Sequence, residues 1–149
     1  MIKDSLKLKG ELTIVVTGAD GKVKEKRHED NLVVTTGLNY ICSRMVDASA
    51  TVMSHIGLGS GTTTPAAGDT DLQSILGTRQ ALSSSTAENN TVVYSVAFPA
   101  GVATGAVTEA GIFNALSSGT MLCRTTFPVV NKEADDTIAI TWTITLSAS

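Results

Sequence analysis

Thr137-Ile138-Ala139-Ile140-Thr141-Trp142-Thr143-Ile144-Thr145-Leu146 places an apolar side chain at every even position and a small or hydroxyl-bearing one at every odd position. That period-2 alternation is the signature of a strand with one dry face and one wet face. Tyr94-Ser95-Val96-Ala97-Phe98 repeats it upstream. Between Thr91 and Leu146 the chain is a succession of such segments, closed by polar or small turns at Glu88-Asn89-Asn90, Ala100-Gly101 and Ser117-Ser118-Gly119. Strands are expected near residues 78–84, 91–99, 107–114, 120–128 and 136–147, the roughly 8–12-residue rhythm of an all-β domain. The fold class that follows is mainly β, an antiparallel β-sandwich of jelly-roll or immunoglobulin-like type.

Working outward, Leu6, Leu8, Leu12, Ile14 and Val16 keep one parity on either side of Gly10, which predicts a long strand that bends at the glycine. Ala19-Asp20-Gly21 then signals a hairpin turn, because Asp-Gly readily supplies the positive φ of a tight turn. The return segment, Lys22-Val23-Lys24-Glu25-Lys26-Arg27-His28-Glu29, is charged on both faces. It reads as an exposed ribbon, either an edge strand protected by charge or a device that pairs with a neighbouring subunit. The chain therefore divides into an N-terminal β-hairpin arm, residues 1–31, and a sandwich domain, residues 32–149. Thr36 is placed to cap one short helix near residues 37–47, with Leu38, Ile41 and Met45 on its apolar stripe. After a strand at 52–58, a Gly-, Thr- and Pro-rich loop begins at Gly59, with room for one helical turn at residues 69–75.

Bulk properties exclude several partners. The chain has 149 residues, 42% of them apolar, enough for one domain with a proper core. Lys+Arg number 11 against 14 Asp+Glu, a net charge of −3 that is of the wrong sign for binding a phosphate backbone. No nucleic acid partner is expected. No run reaches the ~20 apolar residues of a membrane span, and the first residues lack the apolar core of a secretory signal, so no membrane partner and synthesis in a cytoplasm are expected. Cys42 and Cys123 are the only cysteines; they read as buried free thiols.

Few residues suggest chemistry. Gly57-Leu58-Gly59-Ser60-Gly61-Thr62-Thr63 follows a strand like a phosphate cradle, but it lacks the lysine of a P-loop, and Pro65 and Gly68 forbid an immediate helix. The paired acids Asp69 and Asp71, or Asp135 and Asp136, lack the spacing of a calcium loop and read as capping or turn residues. A zinc site would need His28, His55, Cys42 and Cys123 to converge from distant positions. A glycan hydrolase would need Glu109 to face Asp135 or Asp136. No catalytic residue, cofactor or metal is expected. Glu109 stands alone in the small, apolar stretch Val107-Thr108-Glu109-Ala110-Gly111-Ile112-Phe113, where an unpaired carboxylate would be costly. Arg124, in the next strand, is its expected partner across the Ser117-Ser118-Gly119 turn, a structural ion pair.

The segments Thr108-Glu109-Ala110-Gly111-Ile112-Phe113-Asn114 and Met121-Leu122-Cys123-Arg124-Thr125-Thr126-Phe127, with the terminal strand, resemble small structural proteins of tailed bacteriophages. The stretch from Ile56 to Pro65, followed by Gly68-Asp69-Thr70, is similar to the long loop of the same proteins. The resemblance spans roughly residues 52 to 146. It implies a virion location after synthesis in the host bacterial cytoplasm, many copies, a homo-oligomer with a trimer favoured, phage capsid or tail proteins as partners, and no catalysis. With no receptor-binding tip following this module before Ser149, it favours a capsid decoration or cement protein; the alternative is a tail-fibre, collar or baseplate adaptor, possibly glycan-binding. Partner contacts are expected from Lys22, Lys24, Lys26 and Arg27 of the ribbon and from Thr63 and Thr64 of the loop. Trp142 ranks behind them as a contact and fits the core better.

Overall fold

The computed structural model of the chain describes residues 5–46 and 51–148. Ten strands and one helix follow in the order β1 (Leu6–Thr17), β2 (Val23–Asp30), β3 (Leu32–Val33), α1 (Thr35–Arg44), β4 (His55–Gly59), β5 (Gln80–Ala81), β6 (Ser84–Glu88), β7 (Thr91–Phe98), β8 (Gly105–Phe113), β9 (Met121–Lys132) and β10 (Thr137–Ala148). They form two five-stranded antiparallel sheets, ordered β2-β1-β10-β7-β6 and β3-β9-β8-β4-β5. This is the mainly-β sandwich that the alternation predicts. The even-numbered side chains Leu12, Ile14 and Val16 of β1, and Ile138, Ile140, Trp142 and Ile144 of β10, meet Ile56, Leu58, Val107, Ile112 and Phe127 from the other sheet in one core.

β1 pairs with β10 in unbroken register from Leu6↔Ala148 to Thr17↔Thr137. The N-terminal hairpin exists, and its turn has Gly21 at φ 80°, but β1 lies inside the sheet rather than outside the domain. The cause is visible in its parity: Leu12, Ile14 and Val16 are at most 1% exposed, so the same alternation that makes a strand also commits it to the core. Of the hairpin's two strands only β2 lies at an edge. β1 keeps its pairing through Gly10, opposite Ile144; a Cβ there would overlap the Asn31 side chain, and the bare backbone lets Asn31 accept the Trp142 indole N–H at 2.5 Å.

The helix also departs from expectation. It begins at Thr35, and its N-terminal cap is Val34, which makes no side-chain capping bond. Thr36 instead donates its hydroxyl to the Met121 carbonyl at 2.9 Å. Entry into the helix is fixed by tertiary contacts, with Val34 fully buried beside Leu72, Phe113 and Met121 and the Thr35 N–H bonded to Ala67 O at 2.8 Å. The face turned inward is Gly37-Tyr40-Ile41, while Leu38, Cys42 and Met45 point outward. Gly37 permits this, because a Cβ there would collide with the Leu122 carbonyl. Asp47, the expected helix end, lies outside the described residues.

The strand expected at 78–84 is two strands: β5 closes one sheet, and β6 opens the edge of the other. No helical turn forms at 69–75; the segment is held as bends with a bridge between Gly59 and Ile75. No helix of the described residues is long and apolar enough to cross a membrane.

Candidate functional site

Two places concentrate polar side chains, one inside the sandwich and one on its edge. Inside, Glu109 and Arg124 are both fully buried. Their pairing is diagonal: Glu109 lies opposite Thr126, while Arg124 lies opposite Gly111. Arg124 donates to Glu109 Oε2 from Nη2 at 2.8 Å and from Nε at 3.1 Å. The same carboxylate accepts the backbone N–H groups of Gly61 (3.2 Å), Gln73 (3.1 Å) and Ser74 (2.8 Å). Arg124 Nη1 donates to Thr63 O and to Asp69 Oδ2, each at 3.0 Å. Every edge of the pair is thus bonded, the condition under which a buried ion pair is tolerated.

The glycine-rich loop does cradle an anion, and the anion is the chain's own Glu109. Gly59 and Gly61 pass so close to it that a Cβ on either would strike the carboxylate. Thr108 adds a hydroxyl bond to Gly61 O at 2.8 Å. Asp69 also receives the Ala66 N–H at 2.9 Å, which makes it a turn residue. Thr63 and Thr64 are exposed on the outside of this tethered loop, with Thr63 held through its carbonyl by Arg124 and through its N–H by Gln73 Oε1 at 3.2 Å. Sequence reasoning missed Arg79, which is 6% exposed, packs its guanidinium 3.5 Å from the centre of the Phe113 ring and donates to Ala115 O and Ser118 O. It ties the β8–β9 turn to Asp71 at 3.3 Å, beside an open cleft of about 520 Å³.

On the edge, the four expected ribbon contacts separate into two kinds. Lys24 grips the buried Asp136 carboxylate with Nζ–O distances of 2.8 and 3.1 Å. That bond, with the Glu133 N–H, holds the Asp136 carboxyl below the usual carboxylate range, and it raises the Lys24 ammonium above its ordinary value. Arg27 bonds Glu25 at 2.7 Å and reaches across to the carbonyls of Pro128 and Val129, both at 3.2 Å. Those carbonyls project from a bulge in which one residue of β8, Thr108, spans three of β9, Phe127 to Val129, the kind of position where a strand tolerates proline. Among the described residues, Lys22 and Lys26 are exposed with no side-chain partner.

The remaining candidates do not converge. Cys123 is in the core, where burial pushes its thiol well up, whereas Cys42 is exposed on the helix. His55 shares a hydrogen bond with Ser54 Oγ at 2.8 Å. Trp142 is fully buried and presents no contact surface. Of the carboxylates considered for glycan hydrolysis, Glu109 is committed to Arg124 and Asp136 to Lys24, while Asp135 is exposed. His28 meets Glu11 and Asp30 on the outer face of β1 and β2, a grouping that a search for His and Cys together overlooks. Counting outward from the Asp20-Gly21 turn brings Glu11 opposite Asp30, so the signal was present in the hairpin register. Comparison with protein-family models, curated proteins and solved structures gave no match to this chain.

Proposed function

We propose that this chain is a non-enzymatic structural subunit of a tailed-phage virion, a capsid decoration or cement protein that binds neighbouring subunits in multiple copies. The reading is carried by one observation. The residues of the phage-like segments, Thr108, Glu109 and Arg124, are those that clamp the 59–75 loop from beneath. A loop so tethered loses little further conformational freedom when it docks, and a docking surface gains affinity from such preorganisation. The hairpin adds Lys22, just before β2, and Lys26 within it, charges that no side chain among the described residues engages. Weak contacts of this size become useful when many copies bind a symmetric particle and are linked by avidity.

The test is sedimentation of the purified chain with tailed-phage capsids and, separately, with isolated tails. Saturable binding to capsids with increased heat resistance supports the decoration role. Binding to tails alone moves the assignment to the tail-fibre or baseplate adaptor, and binding to neither contradicts a virion role.

A further inference from the structure

We propose that Glu11, His28 and Asp30 form a surface site for a borderline divalent transition cation of the Zn²⁺ class. Each offers one ligand atom, and these atoms lie within 4.8 Å of one another. Metal bonds of ~2.0–2.2 Å place ligand atoms roughly 3–4 Å apart, so adjustments of about 1 Å by these side chains close the site. The backbone beneath them is fixed, because Glu11 pairs with Asp30 and Thr13 with His28 across β1 and β2.

Three features make the cluster more than a charged patch. Two carboxylates sit directly opposite each other across the strands, a like-charge arrangement that costs stability unless a cation stands between them. The His28 ring is already oriented: Nδ1 lies 3.3 Å from Thr13 Oγ1, and Nε2 points at Glu11 Oε2 at 3.0 Å. An outer partner on one ring nitrogen that leaves the other for the metal is the usual support of a metal-binding histidine. The donor set of one imidazole nitrogen and two carboxylate oxygens suits Zn²⁺, Co²⁺ or Ni²⁺, with water completing the shell. It supplies too few oxygens for Ca²⁺, and the imidazole disfavours Mg²⁺. Lys9, whose Nζ is 3.6 Å from Glu11 Oε2 and whose side chain is 67% exposed, is the cation that the metal would displace. Its departure costs little, since an exposed pair of this kind contributes at most about 1 kcal/mol.

The competing ligand for added zinc is the exposed thiol of Cys42, so the titration is run on the full chain and on Cys42→Ser. Calorimetry with ZnCl₂ is expected to give one site per chain in both. The affinity should fall at least tenfold in His28→Gln and in Glu11→Gln, and rise severalfold in Lys9→Ala, where the competing ammonium is gone. Because these side chains are exposed or half-buried on the outer face, circular dichroism should show all variants folded. Zinc binding that disappears in Cys42→Ser, or that is unchanged in His28→Gln, overturns the site. So does equal competition by Mg²⁺.

Discussion

The Glu109–Arg124 junction and the β1–β2 hairpin both concentrate charge, and they treat it in opposite ways. At the junction both ions are buried, and their bonds are directed at backbone groups of a single long loop. In the hairpin the charges lie along an open edge, some engaged with the sheet opposite and some, such as Lys22 and Lys26, projecting into solvent. A buried, saturated ion pair fixes a conformation, because losing one partner strands the other without water. An exposed charge contributes little to folding and remains available for recognition. The difference separates the residues that hold the 59–75 loop in shape from those that leave their charge in solvent.

The largest expected effect comes from breaking the buried side. Arg124→Met leaves Glu109 without its cation and should cost about 3–5 kcal/mol, lowering the melting temperature by on the order of 10 °C. Native-state hydrogen exchange should show the Gly61, Gln73 and Ser74 amides losing protection first. A loop that stays protected would mean that the clamp is not what holds it. Next is Gly10→Ala, which forces a methyl group against Asn31 beneath Trp142 and should destabilise by about 1–3 kcal/mol in urea unfolding.

The Lys24–Asp136 bond ties the hairpin to the β9–β10 turn and is tested by pH. The folded Asp136 carboxyl is held below its ordinary value of 3.8, so its contribution is present above that pH and is lost as pH falls through the lower folded value. Lys24, raised above 10.5, contributes below that pH and loses its effect as pH rises through the folded value. Asp136→Asn should therefore flatten the acid limb of stability against pH and remove the Lys24-linked loss at the alkaline end. An unchanged acid limb would place the linkage in another carboxylate. The smallest effect on folding belongs to Lys22→Glu with Lys26→Glu, expected within about 0.5 kcal/mol of wild type. A large loss there would erase the contrast between the two regions.

Much of this architecture was legible in the chain. The alternation in residues 137–146 and 94–98, the Asp-Gly turn and the lone acid at Glu109 gave the strands, the hairpin and the need for Arg124. What the chain hid was long-range. β1 belongs to the sheet because its last-strand partner lies over a hundred residues away, a distance across which local pattern carries no information. The helix start is decided by the burial of Val34 against Leu72 and Met121, not by Thr36. The glycines at 59 and 61 look like a phosphate cradle without the lysine of one, and local pattern does not show that the anion they surround comes from β8. Which lysines of the ribbon are consumed internally depended on Asp136 folding back beside Lys24.

The most direct test of the account is the solution mass of the full chain by light scattering, in wild type and in the Lys22→Glu, Lys26→Glu variant. Removing the hairpin altogether would strip Leu12, Ile14 and Val16 from the core, so charge reversal is the informative change. The account predicts a wild type that is a multiple of the 15.4 kDa chain, and a variant that is monomeric with an unchanged melting temperature. The same oligomer in both proteins would contradict the proposal that Lys22 and Lys26 of the hairpin contact neighbouring subunits.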